Sequence, residues 1–241
     1  MAPGQVARRV SELQRIASDA NARLIFERGG MLDAGAGGQA LLTKLIGTNF
    51  GIGSGAHKAA LARRESIRSS LGDRCLSVRV TVQPWSPLAI GLGTFAPLTE
   101  TGFTLDRTLG VPYLPGSALK GVARNLLHER GGDTSGIFGT EKVQGSVRFL
   151  DALSMLDVRV DQEVMTPHFG PWYEKAKAPG EWFSPVPVMF LVLRSGSFVV
   201  DLVGNVQGAC ENARDLLVSA LDELGFGAKT SSGFGRLGAV S

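Results

Sequence analysis

The sequence predicts an α+β fold with the ferredoxin-like element order, and two observations predict it. Residues 74–84 alternate apolar and polar side chains over the length of one strand, as in a strand with one covered face. From there to the C-terminus the periodicities follow the order strand, helix, strand, strand pair, helix, strand. If the doubled third strand counts once, this is the ferredoxin-like order. A helical N-terminal extension and an insertion rich in proline and aromatic residues complete the prediction.

The N-terminal part is predicted to be mainly helical. Apolar residues fall on one helix face over residues 5–28, and helical spacing recurs over residues 39–46 and 56–71. We interpret this part as an extension that packs on the main domain. The third helix carries four basic residues, with Glu65 among them, and we interpret them as a solvent-exposed face rather than as an RNA contact. They are Lys58, Arg63, Arg64 and Arg68.

The core begins with the strand at residues 74–84, where four apolar residues point to one side: Leu76, Val78, Val80 and Val82. A loop rich in glycine, proline and threonine follows, from Trp85 to Pro115. Ser117 is a favourable N-cap for a helix that runs to about Arg130, where two glycines end it.

Four further segments complete the core. Residues 146–153 are predicted as a short strand, and residues 186–203 as a hairpin with its turn at RSGS. An amphipathic helix over residues 209–224 and a last strand over residues 233–240 follow. The single domain then has three parts: the extension 1–72, the core 73–153 with 186–241, and the insertion 154–185.

Composition limits the function classes. The 241 residues carry a net charge of +3 and a sequence pI of about 9.1, which permits a polyanionic partner without requiring one. Cys75 and Cys210 are the only cysteines, so a four-cysteine zinc site and a disulfide framework are excluded. No apolar run approaches the length of a membrane span. We therefore expect a cytoplasmic protein without a metal or other cofactor.

Two segments combine glycine, small hydroxyl residues and basic residues, at 110–124 and 225–236, which suggests phosphate binding. A nucleotide-binding P-loop is disfavoured because Ala228 precedes Lys229, and because the second segment follows a helix and leads into a strand. Residues 51–58 resemble a phosphate loop only loosely, since Ala56 and His57 stand where glycine is needed.

Binding to an RNA backbone fits these two segments better. Gly116 and Ser117 open a helix, and Lys120 and Arg124 lie on one of its faces. The spacing alone leaves a turn, a cap and a solvated face equally open as explanations. The second segment offers close backbone approach and five candidate contacts: Gly227, Lys229, Thr230, Ser231 and Arg236. We expect the four cations of the two segments to lie near one another.

The motifs PYLPGSALKGVAR and GFGAKTSSGFGR resemble the two glycine-rich signatures of the RAMP proteins, the RNA-binding family of CRISPR effector complexes. The run VMTPHFGPWYEKAKAPGEWFSPVPVMFLVL and the run IFG…GSVRFLDAL resemble the sixth RAMP subunit of the type III-B, or Cmr, complex. Together these motifs cover residues 75–240 in the expected order, which is more specific than any single glycine loop.

The resemblance implies an RRM-like, ferredoxin-type core and a structural role in antiviral defence. It implies that the chain grips the 3′ part of a CRISPR guide RNA, and that the insertion contacts the duplex of guide and target RNA. The implied partners are other Cmr subunits, namely a second RAMP subunit, a repeated backbone subunit and a small helical subunit.

Catalysis is the alternative function class. In RAMP backbone subunits the loop before the PGS motif carries an aspartate that cuts target RNA, and here that loop contains Glu100 and Asp106. RAMP endoribonucleases that process guides use a histidine near the glycine-rich loop, but neither motif contains one. We therefore predict no catalytic residue and no metal ligand. The three histidines are scattered through the sequence: His57, His128 and His168.

The insertion concentrates aromatic residues, which either stack on RNA bases or fill a small core and an interface with a neighbour. We favour core and interface for most of them, because the insertion needs apolar residues of its own to fold. These residues are Phe169, Trp172, Tyr173, Trp182 and Phe183.

Overall fold

The structure is a computed structural model, which describes residues 21–28, 46, 49–83, 85–94, 101–174, 178, 180, 184–185, 187–206 and 208–240. The helix predicted over 39–46 lies outside the described residues except for Ile46, and the helix predicted over 5–28 is described only from residue 21. Glu100, Trp182 and Phe183 also lie outside them. Within the described part, no helix is long and apolar enough to span a membrane.

The described helices and strands are these, in chain order. The helices are α1 (Ala22–Arg28), α2 (Gly55–Leu71), α3 (Gly116–Glu129), α4 (Ser135–Phe138), α5 (Gly170–Tyr173) and α6 (Ala209–Glu223). The strands are β1 (Cys75–Val82), β2 (Tyr113–Leu114), β3 (Val147–Phe149), β4 (Ala152–Leu153), β5 (Arg159–Met165), β6 (Val188–Gly204) and β7 (Leu237–Val240).

The predicted ferredoxin-like order is confirmed by the sheet. β1 pairs antiparallel with β6 on one side and with β7 on the other, and β3 pairs antiparallel with the far edge of β6. The spatial order is therefore β3-β6-β1-β7. If β1, β3, β6 and β7 are numbered one to four, this is the order two, three, one, four, with α3 after the first strand and α6 after the third.

The hairpin predicted over residues 186–203 is wrong, because β6 runs through that turn as one continuous strand. Residues before the turn pair with β5, from Val188 opposite Met165 to Ser195 opposite Arg159. Residues after the turn pair with β1, from Gly196 opposite Val82 onward. Gly196 has a φ of 136°, and Val158 packs where its Cβ would stand, so the RSGS glycine permits a change of pairing partner instead of a reversal.

The main core lies between the sheet and the helices on one of its faces. In α3 the residues Leu119, Ala123 and Leu126 are buried at helical spacing, as the amphipathic pattern predicts. In α6 the corresponding buried residues include Ala213 and Leu217. They pack on the apolar side of β1, whose alternation of buried and exposed residues follows the prediction.

The other face of the sheet is covered by α2, through charge instead of apolar packing. His57 is the only buried residue of this helix. Arg64 and Arg68 place their Nε atoms 3.6 and 3.5 Å from the carboxylate of Asp201 in β6, whose side chain is 5% exposed. Ser77 of β1 donates a 2.7 Å hydrogen bond to the same carboxylate. The prediction of a fully solvated basic face is therefore wrong for these two arginines and holds for the exposed Lys58 and Arg63.

The N-terminus of α3 is capped differently from the prediction. Pro115 is the N-cap residue, and Ser117 is an exposed residue of the first turn. The backbone N–H of Gly116 donates a 2.7 Å hydrogen bond to the carboxylate of Asp151, 35 residues away. A protein carboxylate thus already occupies part of the positive end of this helix.

Candidate nucleic-acid interface

The second glycine-rich segment forms a closed loop between α6 and β7. The N–H of Phe226 donates to the carbonyl of Gly235 at 2.8 Å and closes the loop. The loop is fixed to the chain after β1, because the N–H of Ala228 donates to the carbonyl of Ala89 and the N–H of Gly235 donates to that of Pro87. Four glycines at positive φ allow this path: Gly225, Gly227, Gly233 and Gly235.

Gly227 is required by the protein's own backbone. Its φ is 89°, and a Cβ at this position would lie 2.4 Å from the carbonyl oxygen of Ala89. A substitution such as Gly227→Val would therefore disrupt the loop itself, whatever ligand the loop binds. For this reason substitution of Lys229 is a sharper test of RNA binding than substitution of this glycine.

Lys229 is the cation that this loop positions. Its φ is 61°, a backbone conformation that residues other than glycine rarely adopt. The loop therefore constrains the position of this residue. Its Nζ lies 2.6 Å from the Sδ of Met165 and 5.7 Å from the ring centre of Phe190. Within the described residues it has no carboxylate partner. The loop therefore presents a half-buried ammonium group that has no counter-ion among the residues described in the structure.

Thr230 and Ser231 form a single 3-10 turn at the tip of the loop, with Thr230 half-buried and Ser231 exposed. The methyl group of Thr230 packs beside Gly225. The exposed hydroxyl of Ser231 follows Lys229 by two residues. These two hydroxyl residues therefore lie at the same tip as the ammonium group.

Arg236 has a structural role that the sequence did not indicate. Its guanidinium donates to the carbonyl oxygens of Asp222 and Glu223, the last residues of α6, and its backbone N–H donates to the hydroxyl of Ser86 at 2.9 Å. Such bonds satisfy carbonyl groups that a helix end leaves unpaired. Arg236 therefore caps α6.

The first segment presents its two cations along α3. Lys120 is half-buried and Arg124 is exposed, and neither has an ion pair within the described part of the chain. Both lie on one side of the helix, four residues apart. Gly116 packs against the carbonyl of Phe149 so closely that a Cβ would lie 2.2 Å from that oxygen.

Glu223 at the end of α6 relates Arg236 of the second segment to α3, the helix of the first segment. Glu223, beside Arg236, also accepts a 2.6 Å hydrogen bond from Arg130, directly after the C-terminal end of α3. Arg236 therefore lies near that end, whereas Gly116 opens the helix about 20 Å away. Lys229 is directed toward Phe190 of β6. That the four cations lie near one another stays a prediction.

The candidate catalytic residues that the structure describes are either bonded within a turn or exposed. Asp106 accepts hydrogen bonds from the N–H groups of Thr108 and Leu109, at 2.9 and 2.7 Å, and so stabilises a turn. His128 and His168 are exposed. Burial raises the pKa of the thiols of Cys75 and Cys210, and for Cys75 the charge of Asp201 raises it further, so both groups remain protonated near neutral pH.

His57 is fully buried. In the sequence, this histidine stood out only because it occupies a position where a phosphate loop needs glycine. Its Nδ1 accepts from the N–H of Gly53 at 3.0 Å, so its Nε2 carries the proton and donates to the carbonyl of Ser154 at 2.8 Å. This histidine fixes the start of α2 to the chain after β4. No local pattern could have revealed that role, because Ser154 is 97 residues away.

The described aromatic residues of the insertion are all at least partly exposed. Trp172 and Tyr173 are 50% and 70% exposed, whereas Phe169 is half-buried. Sequence reasoning missed Trp85, which is 72% exposed in the turn after β1. Large exposed aromatic side chains are typical of surfaces that bind a partner, either a protein or a nucleic-acid base.

Comparisons with known proteins show the family of the chain. The model of the RAMP superfamily matches residues 81–238. The CRISPR system Cmr subunit Cmr6 of Pyrococcus furiosus is 30% identical, with 63% of this chain and 65% of that protein covered. The Cmr6 subunit of Saccharolobus solfataricus is 24% identical, with 63% of this chain and 53% of that protein covered. The chain thus spans less than two thirds of the length of these relatives.

A solved structure supports the fold. A chain of the type III-B Cmr-beta complex, determined by cryo-electron microscopy with cognate target RNA bound, is similar with a TM-score of 0.69. The sequences are 23% identical, and the match covers 84% of this chain and 71% of that one. The ferredoxin-like assignment therefore rests on the sheet order and on this likeness together.

Proposed function

Because the chain belongs to the RAMP superfamily, we propose that it is a non-catalytic structural subunit of a type III-B CRISPR effector complex, acting in the cytoplasm in antiviral defence. In this role it grips the 3′ part of the guide RNA and contacts the duplex of guide and target. Its partners are the guide RNA, the target RNA and the other Cmr subunits. The similarity to proteins named Cmr6 supports this assignment.

The observation that carries the proposal is the state of Lys229. Among the described residues this half-buried ammonium group contacts a sulfur atom and an aromatic ring, so it loses part of its hydration without gaining a negative partner there. A phosphate group supplies that partner. The backbone around it is held by the hydrogen bonds of the loop to Ala89 and Pro87, which supports a site that needs little rearrangement on RNA binding.

The α3 surface supplies further contacts at a different place. Lys120 and Arg124 are free of ion pairs within the described residues, so binding a phosphate breaks no existing bond there. Arg236 contributes less, because its guanidinium is already bonded to the end of α6. Ser117 contributes through its exposed hydroxyl, whereas the N–H of Gly116 is already bonded to Asp151, whose charge limits how close a phosphate comes.

We expect Lys229→Ala and Lys120→Ala each to weaken binding of the guide RNA and to lower the slope of log affinity against log salt by about 0.7. Because the two residues lie on different elements, α3 and the loop between α6 and β7, we expect their effects on the slope to add in the double variant. The measurement is a salt titration of RNA affinity with the chain in its subcomplex, on two RNAs of unrelated sequence. Both RNAs should lose affinity alike, since phosphate contacts carry no sequence information.

The matched control is Lys142→Ala, which removes one exposed charge outside both segments. It should leave the slope unchanged. If Lys229→Ala behaves as Lys142→Ala does, the loop is a turn without a ligand. If ATP protects Lys229 from chemical modification and RNA does not, the ligand is a nucleotide and the proposal fails.

We expect the purified chain not to cleave guide or target RNA, and we expect a complex that carries Glu100→Ala to cleave target RNA as the unmodified complex does. The reason is that glutamate stands at Glu100 where the cutting subunits carry aspartate, while Asp106 is engaged in a turn. Product mapping on a labelled target RNA measures this. Loss of one product in the Glu100→Ala complex would show that this subunit cuts RNA.

A further inference from the structure

A groove of about 460 Å³ opens between α2 and the chain around β4. The helix supplies Ala59, Ala60 and Ile67 to its walls, and the other side supplies Leu153 and Asp151. Ile67 is 45% exposed although it is a large apolar residue. The groove therefore presents apolar surface to solvent, on the face of the sheet opposite to α3 and α6.

The charged side chains at the groove differ in their bonding partners. Arg64, at its inner side, is directed to Asp201 beneath the helix. Arg63, the next residue, is exposed and has no ion pair or hydrogen bond within the described residues. Asp151 faces the groove too, but its carboxylate accepts the N–H of Gly116. Neither Arg63 nor Asp151 has an ion pair within the described residues, so the groove carries one positive and one negative charge that can each take a partner.

We propose that this groove binds an extended segment of a neighbouring protein subunit in the effector complex, a segment with an apolar side chain next to a carboxylate. The apolar side chain would cover Ile67 and Leu153, and the carboxylate would pair with Arg63. This combination of apolar floor and arginine is typical of the buried part of protein interfaces. The inference rests on the proposed function, because it assumes that the chain is assembled with other subunits.

Protein is favoured over RNA as the occupant. The floor offers alanine, isoleucine and leucine side chains, which neither donate hydrogen bonds to phosphates nor stack on bases as aromatic rings do. Asp151 would also repel a phosphate backbone at the opposite wall. A peptide is compatible with Asp151, because its backbone N–H groups can donate hydrogen bonds to that carboxylate.

The test is photo-crosslinking in the reconstituted complex of this chain, its guide RNA and its operon neighbours. p-Benzoylphenylalanine is placed at Ala59, in the groove, and in a matched variant at Ala62, which is exposed on the same helix outside the groove. The residue at 59 should crosslink to a peptide of another subunit that carries an acidic residue beside an apolar one, and the residue at 62 should not.

Three results would overturn the inference: a crosslink from position 59 to the guide RNA, a crosslink to this chain's own residues 1–20 or 29–45, or no crosslink at all. Independently, Arg63→Glu should weaken incorporation of the chain into the complex by about tenfold or more, and Arg63→Lys should retain most of it. Equal incorporation of Arg63→Glu and the unmodified chain also contradicts the inference.

The two proposals fail in different ways. If the chain enters the complex and Lys229→Ala lowers the salt slope of guide binding, but position 59 finds no neighbour, only the groove assignment is wrong. If the unmodified chain never enters the complex, the proposed function is wrong and the groove assignment falls with it.

Discussion

Replacing Arg64 and Arg68 together by methionine is expected to lower the free energy of unfolding by about 3–5 kcal/mol. Methionine keeps most of the apolar stem of each arginine but removes the charge. Asp201 would then keep a buried carboxylate whose remaining donor is the hydroxyl of Ser77. An uncompensated charge in the interior is far more costly than an exposed one, so we expect the single variants to lose much less. Urea denaturation measures the difference.

Two comparisons make this expectation specific. Arg63→Met removes a charge from the exposed side of the same helix and should change the stability by less than about 0.5 kcal/mol. Adding Asp201→Asn to the double variant removes the unpaired charge and should restore part of the loss. If the double variant is no less stable than Arg63→Met, the charge contacts between α2 and the sheet contribute nothing.

Gly116→Ala is expected to destabilise the chain by about 3 kcal/mol, at the upper end of the usual cost of overpacking. The added Cβ would lie 2.2 Å from the carbonyl oxygen of Phe149, and this neighbour is backbone of a sheet strand, which cannot move aside alone. The clash would also displace the N–H of Gly116 from the carboxylate of Asp151. Thermal unfolding of the purified variant measures the loss.

Gly121→Ala is the matched control on the same helix. A Cβ at Gly121 meets no atom within 4 Å, and the residue is exposed in the interior of α3. Alanine should therefore raise the stability by about 0.5–1 kcal/mol, the usual advantage over glycine within a helix. Equal effects of the two substitutions would mean that helix propensity decides both, and that the close approach to Phe149 is absent.

Local periodicity predicted most of the core elements, because the pattern of apolar residues depends on neighbours only a few positions away. The strand at 74–84, the helix at 209–224 and the order of elements are confirmed. The hairpin at 186–203 failed for a physical reason. RSGS has turn composition, but whether a chain reverses or continues there depends on the strands available for pairing, and β5 and β1 are remote in sequence.

The sequence predicts which residue types form the candidate site, but it does not predict their contacts. Glycine at positive φ around Lys229 follows from the motif, and the structure has it. The capping roles of Arg236 and Asp151 did not follow, because each depends on a partner that the fold brings from a distance. Ser117 was predicted as the N-cap from the local sequence pattern alone. In the structure Pro115 is the N-cap, and the carboxylate of Asp151, remote in sequence, binds the N-terminus of the helix.

The continuity of β6 means that the insertion is not a removable module. Its strand β5 protects the first half of β6, where Phe190, Leu191 and Val192 are buried. A shortened chain that joined residue 153 to residue 186 would leave this half of the strand as a bare apolar edge, which invites pairing with other copies and aggregation. The base of the insertion is therefore as necessary to the sheet as the core strands are.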